Sequence, residues 1–244
     1  MSSTPNGAPR PPERRRLYLM RHGSVDYFTA DGTPVPPLTV PLNDIGRAQA
    51  DAAGTLFASA GVRFDLVLTS GLARTVETAA RVLAAAGQPE LPIGSDSRLE
   101  EIRPGRLDTI PRDRLQEAFT RAFSSDADVE AQSFLGGETI GQMLDRSLPA
   151  FIELLDDERW RCALCVLHGG INRGLLGQAL TGRRLFLGRL EQAPACINVL
   201  DVGAGDVVVH ATNLSPTQWL QERERLTTME KLLHQYLRGG GAAH

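Results

Sequence analysis

Leu17-Tyr18-Leu19-Met20-Arg21-His22-Gly23 is a short apolar run that passes without a break into a guanidinium, an imidazole and a glycine. A continuous apolar run of this length suits a strand buried on both faces, as in a largely parallel sheet covered by helices. In open α/β sheets ligands bind beyond the carboxyl ends of the strands, which is where Arg21 and His22 fall. Arg21 offers a planar fork for phosphate oxygens, His22 a ring nitrogen able to act as nucleophile, and Gly23 a point of close backbone approach. Taken alone, the triplet reads equally well as a histidine satisfied in a turn beside a surface arginine.

Val166-Leu167-His168-Gly169-Gly170 repeats the arrangement, again placing a histidine and then glycines just past an apolar strand. The chain holds five histidines, and these two occupy equivalent strand-end positions. His210 in a Val-rich strand, His234 on a charged C-terminal helix and His244 in the tail read as structural or solvated. In Leu68-Thr69-Ser70-Gly71-Leu72-Ala73-Arg74-Thr75-Val76-Glu77-Thr78 a strand runs into a helix with Arg74 in its first turn. There a guanidinium and the positive end of the helix dipole both favour an anion.

Further apolar runs of strand length are Asp65–Leu68, Ala163–Leu167, Ile197–Leu200 and Val207–Val209. Helical segments of roughly 44–60, 72–87, 139–156 and 170–181 separate them, so strand and helix alternate and the class is α/β. Asn43 and Thr139 stand where N-caps belong. Residues 1–16 read as a disordered arm, 17–238 as a single domain and 239–244 as a disordered tail. The Pro-rich loop from Val25 to Pro41 is of the kind that covers a site. The stretch 103–137 reads as an insertion or lid with a short helix near 112–123. A C-terminal helix is expected over 215–237, capped by Ser215 with Pro216 at its first position, packing on the core or on a second subunit.

Bulk properties narrow the function. The 244 residues, 42% hydrophobic, suffice for a proper core, and the formal charge of −3 carries no field for nucleic acid. No apolar run approaches bilayer-spanning length, and the first residues have no apolar signal region, so a cytoplasmic protein is expected. Three cysteines are too few for a disulfide framework, and Cys162 and Cys165 fall on opposite faces of a strand, unsuited to redox or zinc work. The single lysine, Lys231, leaves none for a phosphate-cradling GxxxxGK[ST] loop or a Schiff base in the core.

Together and in this order, these elements resemble the histidine phosphatase superfamily, also called phosphoglycerate mutase-like, over roughly Leu17 to Asn213. The resemblance extends to Pro41–Ala50, similar to the segment opening the family's first long helix, and to Gly137-Glu138-Thr139 before the helix that precedes the last histidine strand. It implies a three-layer α/β/α sandwich with a mostly parallel central sheet. It also implies that Arg21, Arg74, His168 and Gly169 bind phosphate and that His22 becomes transiently phosphorylated. Leu99-Glu100-Glu101-Ile102-Arg103-Pro104-Gly105 matches a Leu-x-Glu-Ile-x-x-Gly pattern that makes Glu101 the proton donor, with Glu100 as the alternative. No cofactor and no metal are implied, because arginines and histidine neutralise the phosphoryl oxygens.

The expected activity is hydrolysis of a small phosphorylated metabolite or related phosphate ester, with no nucleic-acid or membrane partner and a homodimer as a possible assembly. Ser24-Val25-Asp26 after the Arg-His-Gly triplet departs from the Glu and Asn common in the mutases. A phosphoglycerate-type mutase using the same phosphohistidine, or a non-catalytic phospho-ligand module, are the alternatives. Tyr27, Phe28 and Phe134 are candidates for a leaving-group pocket, and Arg103, Arg106 and Arg173 for a second anionic group.

Overall fold

In a computed structural model, residues 13–29, 35–106, 110–120, 129–217 and 225–238 are described. The run that opens the chain's folded part becomes β1 (Arg15–Arg21), which pairs in parallel with β4 (Cys162–Leu167) on one side and antiparallel with β5 (Ile197–Val202) on the other. With β2 (Leu66–Thr69), the two-residue β3 (Gly94–Ser95) and β6 (Val207–Leu214), they form a six-stranded sheet in the order β3-β2-β4-β1-β5-β6. β3, β2, β4 and β1 run parallel and β5 opposes them. Only β3 went unpredicted, being too short to carry a hydrophobic pattern.

Two apolar layers cover the sheet. Met20, Val67, Leu164 and Val166 pack with Ala50, Ala53 and Phe57 of α1 (Asp44–Ser59) and Ala79, Val82 and Leu83 of α2 (Ala73–Ala85). Leu17, Leu19, Cys165 and Leu167 face the other way, onto α4 (Ile140–Asp156) and α5 (Gly169–Thr181). Successive strand residues alternate faces, so an apolar run without polar interruption is what a sheet covered on both sides demands. Cys162 and Cys165 belong to opposite layers, and burial pushes their thiols up to about 11 and about 12.

The helix starts follow local chemistry. Asn43 accepts from Gly46 N at 2.8 Å, and Thr139 and Gln142 exchange hydrogen bonds in a capping box that satisfies two otherwise unpaired donors. Gly182, at φ 66°, ends α5 in the left-handed region. α3 (Arg112–Thr120) and α6 (Thr228–Arg238) pack on each other through Phe119 and Leu233. Among the described residues no helix is long and apolar enough to cross a membrane.

Two expected boundaries need correction. The ordered chain reaches further toward the N-terminus than residue 17. Arg15 is buried, stacks over the Trp160 ring at 4.3 Å, and donates to the carbonyls of Leu155 and Asp157 at the end of α4. Such a side chain buries its stem and satisfies orphan helix carbonyls, which makes Arg15 a strand residue and no part of a loose arm. Ser215-Pro216 also does not start a helix. β6 runs to Leu214, paired with Ile197, and the chain is irregular at 215–217. The helix begins at Thr228, where Thr227 N donates to Glu230 Oε2 at 2.6 Å and Glu230 N to Thr227 Oγ1 at 3.2 Å. This reciprocal pair competes better for the helix start than an isolated Ser-Pro step. Leu220, residues 121–123 of the short helix near 112–123, and the tail from residue 239 lie outside the described residues.

Candidate active site

Because β1 and β4 are adjacent and parallel, with Arg21 in register with Leu167, their carboxyl ends deliver His22 and His168 side by side. The two rings lie 5.2 Å apart, centroid to centroid, at 65°. The turn after β1 is held from beneath: Gly23 N donates to Thr78 Oγ1 at 3.1 Å and Ser24 N to Gln49 Oε1 at 2.9 Å. A side chain at Gly23 would place its Cβ 2.4 Å from Gly46 O, so the glycine of the triplet is required by the first turn of α1.

His22 Nδ1 lies 2.7 Å from Gly23 O. A carbonyl only accepts, so Nδ1 carries the hydrogen and Nε2 keeps its lone pair. Burial drives the His22 ring well below the ordinary histidine range, and the charges of Arg74 and Arg21 add to the effect. A neutral imidazole with a bare Nε2 is the form a nucleophile needs.

His168 is oriented by a relay. Thr75 Oγ1 donates to Leu72 O at 2.7 Å, so it accepts from Ser70 Oγ at 3.1 Å, and Ser70 Oγ in turn accepts from His168 Nε2 at 2.8 Å. That leaves His168 Nδ1, buried and with no hydrogen-bond partner among the described residues. Burial, then Arg74 and its other cationic neighbours, lower this ring's affinity for a second proton. An arriving phosphoryl anion reverses that balance and makes Nδ1 a donor.

Arg21 Nη1 donates to Gln192 O and to Thr228 Oγ1, the latter at 3.2 Å; Thr228 Oγ1 donates on to Glu191 Oε1 at 2.9 Å. Gln192 is fixed by Asn198 and Asn172 in a buried amide network. Arg74, in the first turn of α2, is buried and donates to Pro37 O from the proline-rich loop. It makes no ion pair among the described residues. Arg21 Nε and Arg74 Nε, like His168 Nδ1, are buried with no hydrogen-bond partner among the described residues. The two guanidiniums make the pocket electropositive, the bare His168 Nδ1 stands beside them, and buried donors left without partners are costly until an anion or water meets them.

Glu101 reaches the same place. Its carboxylate accepts from Gly170 N at 2.9 Å and Ile171 N at 3.2 Å, at the positive end of α5. A Cβ on Gly170 would stand 2.5 Å from Glu101 Oε1, so this glycine makes room for the carboxylate, whereas a Cβ on Gly169 would be in ordinary contact with Arg21. Glu100 lines the same cavity and sits 3.7 Å from Arg103. The loop carrying the two glutamates is clamped by Arg146, which donates to the carbonyls of Arg98, Glu100 and Glu101 and pairs with Glu138 at 2.8 Å. Burial works to raise the Glu138 carboxyl, but Arg146 and the Arg103 N–H outweigh it and hold the group ionised.

All of this opens into a cavity of about 610 Å³ between the sheet ends, the proline-rich loop, α3 and α6. Tyr27, Phe28, Phe134, Arg103, Arg106 and Arg173 line it, as do Arg21, Arg74, Glu101 and Gly169. His22 and His168, next in sequence to Arg21 and Gly169, are buried and are not among the lining residues. Ser70, Thr75 and Thr78 were not singled out from the sequence. The available signal was polar threonine at the inward positions of an otherwise apolar helix face. Gln192, Thr228 and Arg146 gave none, because their partners are remote along the chain. Among the described residues no cluster of three His, Cys, Asp or Glu side chains is placed to hold a metal ion.

The match to the model of the histidine phosphatase superfamily (branch 1) spans residues 17–215. The chain belongs to that superfamily. A bisphosphoglycerate-dependent phosphoglycerate mutase of Methylobacterium sp. is 32% identical to this chain over 192 residues, covering 71% of it and 88% of the relative. One from Mesorhizobium japonicum is 28% identical over 214 residues, 83% of this chain and 95% of the relative. Among solved structures, the α-ribazole phosphatase of Shigella flexneri superposes with a TM-score of 0.61 at 24% identity, covering 81% of this chain and 96% of that one. A mycobacterial glucosyl-3-phosphoglycerate phosphatase, solved with inorganic phosphate, superposes with a TM-score of 0.63 at 24% identity, covering 83% and 98%. These superpositions establish the shared fold. The three-layer α/β/α architecture with its mixed sheet is that of the superfamily.

Proposed function

We propose that this histidine phosphatase is a cytoplasmic, metal-independent phosphomonoesterase that works through a phosphohistidine on His22. The observation that carries the reading is the set of unpartnered buried nitrogens on Arg21, Arg74 and His168 around a neutral His22 with a free Nε2. Phosphoryl transfer is mostly positioning and charge neutralisation, and these residues supply both.

In the first step the Nε2 lone pair forms a bond to phosphorus while the ester P–O bond breaks. The carboxylic acid of Glu101 gives its proton to the departing oxygen, and the alcohol leaves. In the second step water attacks phosphorus, the Glu101 carboxylate takes the water's proton, and the P–N bond breaks to return neutral His22 and inorganic phosphate. Arg21, Arg74 and protonated His168 hold the equatorial oxygens throughout, with the Gly169 N–H at the start of α5 beside them.

The alternative is a mutase that returns the phosphoryl group to a bound acceptor, and the names of the Methylobacterium and Mesorhizobium relatives favour it. One assay separates the two. Phosphate release from p-nitrophenyl phosphate and a panel of esters is followed with EDTA present, for wild type and His22→Ala. Release by wild type and none by the variant supports the phosphatase. No release by either, with interconversion of phosphoglycerates on adding bisphosphoglycerate, overturns it in favour of the mutase.

A further inference from the structure

The cavity in front of His22 has two chemically distinct ends. At the inner end stand Arg21, Arg74 and the glycines that open α5. The outer end is built by Tyr27 and Phe28 of the proline-rich loop, Phe119 of α3, Phe134, and Met229 and Leu232 of α6. These side chains are not incidental surface. Phe28 meets Tyr236 edge-on at 5.4 Å, Phe119 stacks on Tyr236 at 6.4 Å, and Phe119 and Leu233 centre an apolar cluster separate from both layers of the main core. α6 is tied down over the site because its first residue, Thr228, bonds both Arg21 and Glu191. The outer end is therefore a roof with its own small core, anchored to the phosphate-binding arginine.

The other arginines of the cavity already face partners. Arg173 Nε donates to Leu190 O at 2.6 Å and its guanidinium lies 3.8 Å from Glu191; Arg103 lies 3.7 Å from Glu100; Arg106 is engaged as well. A leaving group bearing its own carboxylate or phosphate would compete with these partners or face aromatic and aliphatic carbon. At about 610 Å³ the cavity lies within the roughly 300–1,000 Å³ typical of pockets that enclose drug-sized ligands. It is far larger than one phosphoryl group needs.

We infer that the substrate is a phosphate monoester whose alcohol is bulky and apolar, aryl or long-chain alkyl, lying under the roof of Tyr27, Phe28, Phe119, Phe134, Met229 and Leu232. The inference rests on the phosphoryl site proposed above and adds the chemical class of the leaving group.

The test is binding of two non-hydrolysable anions to the full-length protein by titration calorimetry: methylphosphonate, and naphthylmethylphosphonate with the same head and a large apolar body. The naphthyl compound should bind at least about tenfold tighter, since even one methylene in an apolar pocket is worth on the order of tenfold. Met229→Gln and Leu232→Gln, each close in volume to the residue replaced, should shrink that ratio, with far-UV circular dichroism reporting that the helix persists. Naphthyl phosphate should exceed phenyl phosphate in kcat/KM, mainly through KM. Equal binding of the two phosphonates, or a ratio untouched by both variants, overturns the apolar leaving group while leaving His22-dependent hydrolysis standing. Failure of either phosphonate to bind, together with no His22-dependent hydrolysis, overturns the phosphoryl site and the inference with it.

Discussion

Replacing Gly23 by alanine tests whether the nucleophile's position is set by backbone contact with α1. The new Cβ would stand 2.4 Å from Gly46 O, 2.9 Å from Gly46 C and 2.9 Å from Gly46 Cα. All three are backbone atoms, so no side-chain rotation can relieve the clash. Ordinary contact begins near 3.4 Å, which requires the turn after β1 and the first turn of α1 to separate by about 1 Å. The displaced residue is joined directly to His22, whose ring is fixed by the Gly23 carbonyl. A misplacement of about 1 Å at a reacting group costs about 10²-fold in rate, and overpacking costs about 1–3 kcal/mol of stability. Gly46→Ala meets the same interface from the other side, with its Cβ 2.1 Å from Ser24 O, and should behave alike. The assay is kcat for p-nitrophenyl phosphate, alongside urea unfolding of both variants. The double variant should lose less than the sum of the two, because one opening serves both. Gly23→Ala with kcat within twofold of wild type and unchanged unfolding would falsify the claim that this contact positions His22.

Arg74→Ala removes a buried guanidinium that has no carboxylate partner among the described residues; kcat/KM should fall by roughly 10²–10³, with stability little changed or improved. Ser70→Ala strands His168 Nε2 and should cost about 1–3 kcal/mol in urea unfolding. It should also lower kcat more than it raises KM if the serine orients the ring. Stability should depend on pH through His22 and His168, both buried and held below the ordinary histidine range. Below about pH 6.5 the unfolded chain takes up protons that the folded chain refuses, so stability falls as pH falls, by up to about 1.4 kcal/mol per pH unit for each histidine. Unfolding free energies measured between pH 7 and pH 5 should show this slope, and His168→Asn should reduce it.

What could be read along the chain was what is encoded locally. The apolar runs ending in His22 and His168 identified strands covered on both faces, and Asn43 and Thr139 marked helix starts, because strand burial and capping act over a few residues. Arg21, His22, Arg74 and His168 were legible because each stands where a strand ends or a helix begins and because their order along the chain resembles the superfamily. Tertiary structure alone decided the rest, since it depends on segments that meet only once the sheet is assembled. The adjacency of β1 and β4 is what makes two separate histidines one site. The relay through Ser70 and Thr75, the Arg146 clamp on the Glu101 loop, and Thr228 reaching Arg21 are long-range contacts of ordinary residues. Arg15 and Ser215 were misplaced for the same reason: one is ordered by a tryptophan far along the chain, and the other is kept out of a helix by a strand that must first find its partner. Local sequence can prescribe an element's period and its ends, but a buried guanidinium or imidazole takes its function from the charges and hydrogen-bond acceptors that folding brings to it.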